Sequence, residues 1–263
     1  MRGPPEASEE GTQADPGWFG VIALRHKIGV WRASRALHRA DFRGAILRAW
    51  FLCLTQDRVG DYVEFGVWRG DSLIAAFLAQ RAVARWLAGR PDGSPLAPWP
   101  AGAMDEWRRS TPHIIGFDTF AGMPQNAESS LFAGGSFATS EAAVRARCAR
   151  WGLTAPTLHL HPGLFAETAA PALTSAARPI SILHIDCDLY ASTVDALTAA
   201  EPWIGQGTIV LADDWNLFAA RADQGERRAF AEAQSRANLN FEPWFAYGIG
   251  SQAFLVHRAG AGG

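Results

Sequence analysis

One apolar run constrains this chain more than any other: Ile180-Ser-Ile-Leu-His-Ile185, closed by Asp186-Cys-Asp188. It shows little alternation, which predicts a central parallel strand buried on both faces. Acids at the carboxyl end of such a strand lie where open α/β sheets bind ligands. Ser192 or Thr193 is then expected to cap a following helix. A second run, Gly207-Thr-Ile-Val-Leu-Ala212, also ends in acids, Asp213 and Asp214. Two neighbouring strands that deliver three or four carboxylates to one edge make a site for a hard cation. Acids clustered without an ion repel and raise one another's pKa, so a solvated surface patch is a poor reading of all four. Asp213 and Asp214 are adjacent and would face opposite ways in a regular strand. Both ligate only if the chain leaves strand geometry there.

Around this pair the chain falls into strand–turn–helix units. Tyr62 to Phe65 reads as the first strand, Gly66 and Gly70 as the turn after it. Asp71 or Ser72 then caps a helix with Leu73, Ile74, Phe77, Leu78 and Trp86 on its apolar face. The turn has two glycines, not the three of the dinucleotide fingerprint. His113 to Phe117 is the next strand, and it ends at Asp118, placed either to grip ribose hydroxyls or to cap its own loop. Ser140 to Trp151, Ser192 to Trp203 and Arg221 to Asn238 read as helices, and Thr157 to His161 as a short third strand. Phe241 to Tyr247 and Ser251 to His257 form a hairpin. The expected architecture is α/β: a Rossmann-like, seven-stranded, mostly parallel sheet with helices on both faces and an antiparallel terminal hairpin.

Three segments lie outside that pattern. Residues 1–17, rich in Pro, Glu, Gly and Ser, read as a disordered tail. Residues 18–60 read as a helical lid or interface segment ahead of a domain over 61–258. Arg25 to Arg48 carries six Arg and one Lys against Asp41 alone, with a break near Asp41 to Gly44 and an apolar face of Ile46, Leu47, Trp50, Phe51 and Leu54. It reads as a solvated basic face, or else as a lid or oligomer contact that helps hold an anionic substrate. Residues 90–112 read as an insertion.

A net charge of -2 argues against nucleic acid as a partner. No apolar run approaches the ~20 residues of a membrane span, and the first residues lack a signal-peptide pattern. Cys53, Cys148 and Cys187 are far apart and odd in number, which suits reduced thiols in the cytoplasm. His184, inside the apolar run, reads as a core or supporting residue rather than a catalytic one.

Four stretches together resemble the macrocin O-methyltransferase family of class I S-adenosylmethionine-dependent methyltransferases. They are Val63-Glu-Phe-Gly-Val-Trp-Arg-Gly-Asp-Ser72, Gly116-Phe-Asp-Thr-Phe-Ala-Gly-Met-Pro124, His184-Ile-Asp-Cys-Asp-Leu-Tyr-Ala-Ser-Thr193 and Gly207-Thr-Ile-Val-Leu-Ala-Asp-Asp-Trp215. Pro162 to Thr168 is a looser fifth. Trp68, Met123 and Trp215 depart from the Tyr, Leu and Tyr usual there. The resemblance implies transfer of a methyl group to a hydroxyl of a sugar moiety in a small-molecule natural product or glycoconjugate, with S-adenosylmethionine and Mg²⁺ as cofactors and a homo-oligomeric enzyme. It implies that Glu64 and Gly66 line the methionine part of the cofactor, that Ser72 belongs to the same site and that Asp118 binds the ribose. Asp186, Asp213 and Asp214 would hold the cation, and Asp188 would be the general base. The same chemistry on a catechol-like phenol is the near rival. A nicotinamide-dependent oxidoreductase is the rival from another class, with the two-glycine turn and the acid cluster against it.

Overall fold

The computed structural model describes residues 41–88, 105–130, 132–176 and 178–258. Its strands are β1 (Asp61–Phe65), β2 (Ile114–Asp118), β3 (Leu158–Pro162), β4 (Ile180–Ile185), β5 (Ile209–Ala212), β6 (Leu239–Tyr247) and β7 (Ser251–Arg258). They form one sheet in the spatial order β3-β2-β1-β4-β5-β7-β6, parallel from β3 to β5 and antiparallel at β7 and β6. β4 and β5 are buried at every residue, which is why they run apolar with little alternation; β1 is buried throughout as well, although it carries Asp61 and Glu64. Edge strand β6 instead mixes buried and exposed positions. The chain runs outward from β1 to β3 and then returns to β4 beside β1. That reversal opens a crevice at the carboxyl ends of β1 and β4.

Successive residues of a buried strand face opposite layers. Tyr62, Ile114, Ile182 and Leu211 face one layer, while Val63, Phe65, Phe117, Leu183 and Ile185 face the other. Helices α1 (Phe42–Thr55), α2 (Asp71–Ala88), α3 (Asp105–Arg109) and α4 (Glu141–Ala149) contribute to the first layer; α5 (Phe165–Ala176), α6 (Tyr190–Ala200) and α7 (Gly225–Ala237) cover the second. α1 starts where the break was expected, at Asp41, whose side chain accepts the Arg43 N–H at 3.0 Å. Its Ile46, Trp50 and Leu54 are fully buried, and Trp50 Nε1 donates to the Ala76 carbonyl of α2 at 3.0 Å. Those three residues are therefore spent inside the domain, while Leu47 of the same expected face is exposed. The expected tail, the rest of the lid segment up to residue 40 and most of the 90–112 insertion lie outside the described residues.

Two helix starts differ from expectation. Ser72 does not cap α2, because its hydroxyl donates to Glu64 Oε1 at 2.5 Å. α6 starts at Tyr190, ahead of Ser192 and Thr193, because Asp188 adopts a left-handed φ of 60° and turns the chain early. Leu189 at the N-cap offers no side-chain bond. Glu128, from the loop after β2, accepts the Tyr190 and Ala191 N–H groups at 2.7 and 3.1 Å in its place. All three cysteines are free and buried. Among the described residues no helix is long and apolar enough to cross a membrane.

Candidate active site

The acids meet at the crevice. β5 ends at Ala212, and Asp213 and Asp214 lie in the turn beyond it, so the strict alternation of a strand no longer binds them. Asp213 Oδ1 faces His184 Nε2 at 3.3 Å, whereas Asp214 Oδ2 accepts the Asp188 N–H at 2.9 Å. Single ligand atoms of His184, Asp186 and Asp213 lie within 4.8 Å of one another. The structure thus brings Asp186 and Asp213 together and turns one oxygen of Asp214 toward the backbone of Asp188.

These carboxylates do not share one protonation state. Burial, then the charges of Asp213 and Asp214, push Asp186 well above the ordinary range. Burial and Asp213 push Asp188 up to about 6. Burial, Asp188 and Asp213 push Asp214 up to about 8. Burial also works against ionised Asp213, but hydrogen bonding to His184 and its charge prevail and hold Asp213 low. His184 is raised well above its usual value: burial opposes the charge, and Asp213 and Glu64 on its two sides outweigh burial.

A cleft runs from Asp186 and Asp188 to the end of β2, lined also by Gly66, Trp68, Asp118 and Phe137 among others. Asp118 Oδ2 accepts the N–H groups of Val67 and Trp68, both at 2.8 Å, and its Oδ1 accepts that of Phe120 at 2.7 Å. Its role in shaping the loop is therefore real, and of about four lone-pair sites on a carboxylate one remains open. Trp68 and Phe137 stand edge to face at 5.6 Å and are 41% and 48% exposed, an aromatic wall on the cleft. Glu64 and Ser72 do not line it. Glu64 is fully buried, taking the Ser72 hydroxyl on Oε1 and the Tyr62 hydroxyl on Oε2 at 2.6 Å.

Sequence reading overlooked one further acid. Glu226, in the first turn of α7, is 1% exposed, and neither carboxylate oxygen has a hydrogen-bond partner among the described residues. Burial and the charges of Asp214, Asp213 and Asp186 raise it well above the ordinary range. In sequence it is one charge in a charged helix, and nothing local marks it as buried.

Residues 102–239, just over half of the 263, match the family model described as macrocin-O-methyltransferase. The chain is 32% identical over 167 residues to the 8-demethyl-8-(2,3-dimethoxy-alpha-L-rhamnosyl)-tetracenomycin-C 4'-O-methyltransferase of Streptomyces olivaceus, covering 62% of this chain and 55% of that protein. It is 28% identical over 169 residues to the mycinamicin III 3''-O-methyltransferase of Micromonospora griseorubida, covering 64% and 60%. The chain thus spans a little over half the length of the curated relatives it matches. In fold it is similar to the O-methyltransferase NovP, with a TM-score of 0.61 at 22% identity over 82% of this chain and 79% of that one. It is also similar to the calicheamicin methyltransferase CalS11, with a TM-score of 0.54 at 20% identity over 97% and 98%.

Proposed function

Because the chain belongs to the macrocin-O-methyltransferase family, we propose that it methylates a hydroxyl of a sugar-containing small molecule, using S-adenosylmethionine and a divalent cation. The observation that carries this reading is a single cleft with Gly66 and Asp118 at one end and Asp186 and Asp188 at the other. The name of the Streptomyces olivaceus relative, with its rhamnosyl group, supports a sugar acceptor.

The donor set fits a hard cation. Asp186 is raised by burial and by its acidic neighbours, and a cation there would relieve that repulsion. Asp186 and Asp213 would hold it, with Asp214 contributing through an oxygen not given to Asp188; all are oxygen donors, as Mg²⁺ requires. Such an ion supplies positive charge that lowers the pKa of an acceptor hydroxyl and orients it. Asp188, on the cleft wall, takes the hydroxyl proton on a carboxylate oxygen. Asp118 accepts a ribose hydroxyl on its open lone pair. Trp68 and Phe137 shield the reacting groups from water.

Titrating cation-free protein with S-adenosylhomocysteine by calorimetry should show binding, because Gly66 and Asp118 stand at the ends of β1 and β2 while the cation acids follow β4 and β5. Asp118→Ala should weaken it by about 1–3 kcal/mol, the range for a hydrogen bond to a charged group. No binding by the wild type would sink the methyltransferase reading. A methyl-transfer screen with Mg²⁺ over sugar glycosides and catechols then names the acceptor class.

The acids also predict how a cation affects stability with pH. Folded Asp188 and Asp214 titrate at about 6 and about 8, above the ~3.9 of an unfolded Asp. Their contribution is fully present below about pH 4 and is lost as pH rises through those values. Raised His184 acts in the same direction, and Asp213, held low, acts in the opposite one. A cation binds the ionised carboxylates and offsets that loss. Mg²⁺ should therefore raise the melting temperature more at about pH 8 than at about pH 5, and an equal rise at both would contradict the assignment.

A further inference from the structure

A line of buried side chains reaches the acid end from behind the cleft. Ser72 Oγ donates to Glu64 Oε1 at 2.5 Å, and the Tyr62 hydroxyl donates to Glu64 Oε2 at 2.6 Å. The same hydroxyl oxygen lies 2.7 Å from His184 Nδ1, and His184 Nε2 lies 3.3 Å from Asp213 Oδ1. The sheet register builds this line. Tyr62 and Glu64 share one face of β1, His184 of β4 is the partner of Glu64, and Leu211 of β5, partner of His184, precedes Asp213 by two residues. Tyr62 and Glu64 are fully buried and His184 is 1% exposed, so the groups satisfy one another and not water.

The proton of Tyr62 goes to Glu64, so its oxygen is left to accept from His184 Nδ1. Nε2 of the same ring is then committed to Asp213. Although His184 lies within ligand distance of Asp186 and Asp213, both its nitrogens face protein partners. Asp213 sits in a turn, where its backbone N–H reaches the Ile185 carbonyl at 2.9 Å and its carbonyl accepts the Ser251 hydroxyl at 2.7 Å. Those bonds hold its main chain. The Asp213 carboxylate itself is met by His184 Nε2, with the Tyr247 hydroxyl also acting on it.

We propose that His184 and Tyr62 are positioning residues that fix the Asp213 carboxylate for cation binding, with Glu64 as their anchor. Glu64 on this assignment serves the acid end from within the core. The proposal rests on the reading of Asp213 as a cation ligand, and residues behind a ligand of that kind typically change metal affinity by roughly 10–100-fold when replaced.

The test compares wild type, Tyr62→Phe, His184→Gln and the double variant, each titrated by calorimetry with Mn²⁺ and separately with S-adenosylhomocysteine. Tyr62→Phe and His184→Gln should each raise the Mn²⁺ dissociation constant by roughly 10–100-fold, with S-adenosylhomocysteine affinity unchanged. The double variant should be no worse than the more damaging single one, since the two links act in series. An unchanged Mn²⁺ constant in Tyr62→Phe overturns the proposal while leaving the cation reading intact. So does abolition by His184→Gln with Tyr62→Phe unaffected, which makes His184 itself a ligand. A wild type that takes up no divalent cation overturns the cation reading and the proposal together. If Tyr62→Phe does not fold, His184→Gln and His184→Asn carry the test. The longer amide can still donate toward Asp213, so it should bind Mn²⁺ more tightly than the shorter one, and equal affinities overturn the proposal.

Discussion

Asp188→Asn is expected to lower turnover by roughly 10²–10⁴-fold, the range for a lost general base. The substitution suits this backbone. Asp188 holds a φ of 60°, a conformation that Asn tolerates better than most residues, so the fold should survive. Its N–H still reaches Asp214 Oδ2, so the loop after β4 keeps its tie to the loop after β5. What changes is the charge and the ability to take a proton at the cleft wall. Turnover measured against Mg²⁺ concentration separates this role from ligation: Asp213→Asn should raise the Mg²⁺ requirement, and Asp188→Asn should leave it nearly unchanged. If both shift the midpoint alike, Asp188 is a ligand and the base must be sought elsewhere.

Gly66→Ala should cost roughly 2–5 kcal/mol, overpacking and left-handed strain combined. Gly66 has φ of 95°, and a methyl there would meet the Asp186 carbonyl oxygen at 1.7 Å and its carbon at 2.7 Å. Neither is the tip of a flexible side chain. They belong to the strand end that carries the acids, itself tied back by the Asp186 N–H to the Phe65 carbonyl at 2.9 Å. Relief of the clash therefore moves Asp186 or unpairs β1 from β4. Urea denaturation measures the loss, with Gly205→Ala as control, because a methyl at that position meets nothing within 4 Å. A Gly66→Ala protein as stable as wild type would mean the two loops are not packed as described.

Much of this architecture was legible because burial on both faces leaves a plain mark. β4 and β5 are apolar without alternation and end in acids, and the hairpin of β6 and β7 is split by Gly248 and Gly250. Helix α5 was not legible because Pro171 lies inside it, and an interior proline argues against a helix. The start of α6 was misread because its cap comes from Glu128, 62 residues earlier in the chain. The acid cluster could be read, since its members close two strands. The roles of His184 and Tyr62 could not, because the contact between them spans 122 residues and depends on the strand register. Strand parity puts Tyr62 and Glu64 on one face, but it does not say that this face turns away from the cleft.

The placement of β7 has a consequence for synthesis on the ribosome. It is the last strand to emerge, yet it lies inside the sheet, between β5 and β6. Gly250 accepts the Asn216 N–H at 2.9 Å, and Ser251 holds the Asp213 carbonyl, so the turn bearing the two acids is tied down by residues made about forty positions later. A nascent chain that has grown past Asp214 carries Asp186, Asp188, Asp213 and Asp214 but still exposes one edge of β5. Domains often begin to fold while they are being translated. Here the acid turn gains these ties only when β7 slides into that edge, so a polypeptide released at Gly248 would leave the tunnel with the acids but without the strand that holds their turn.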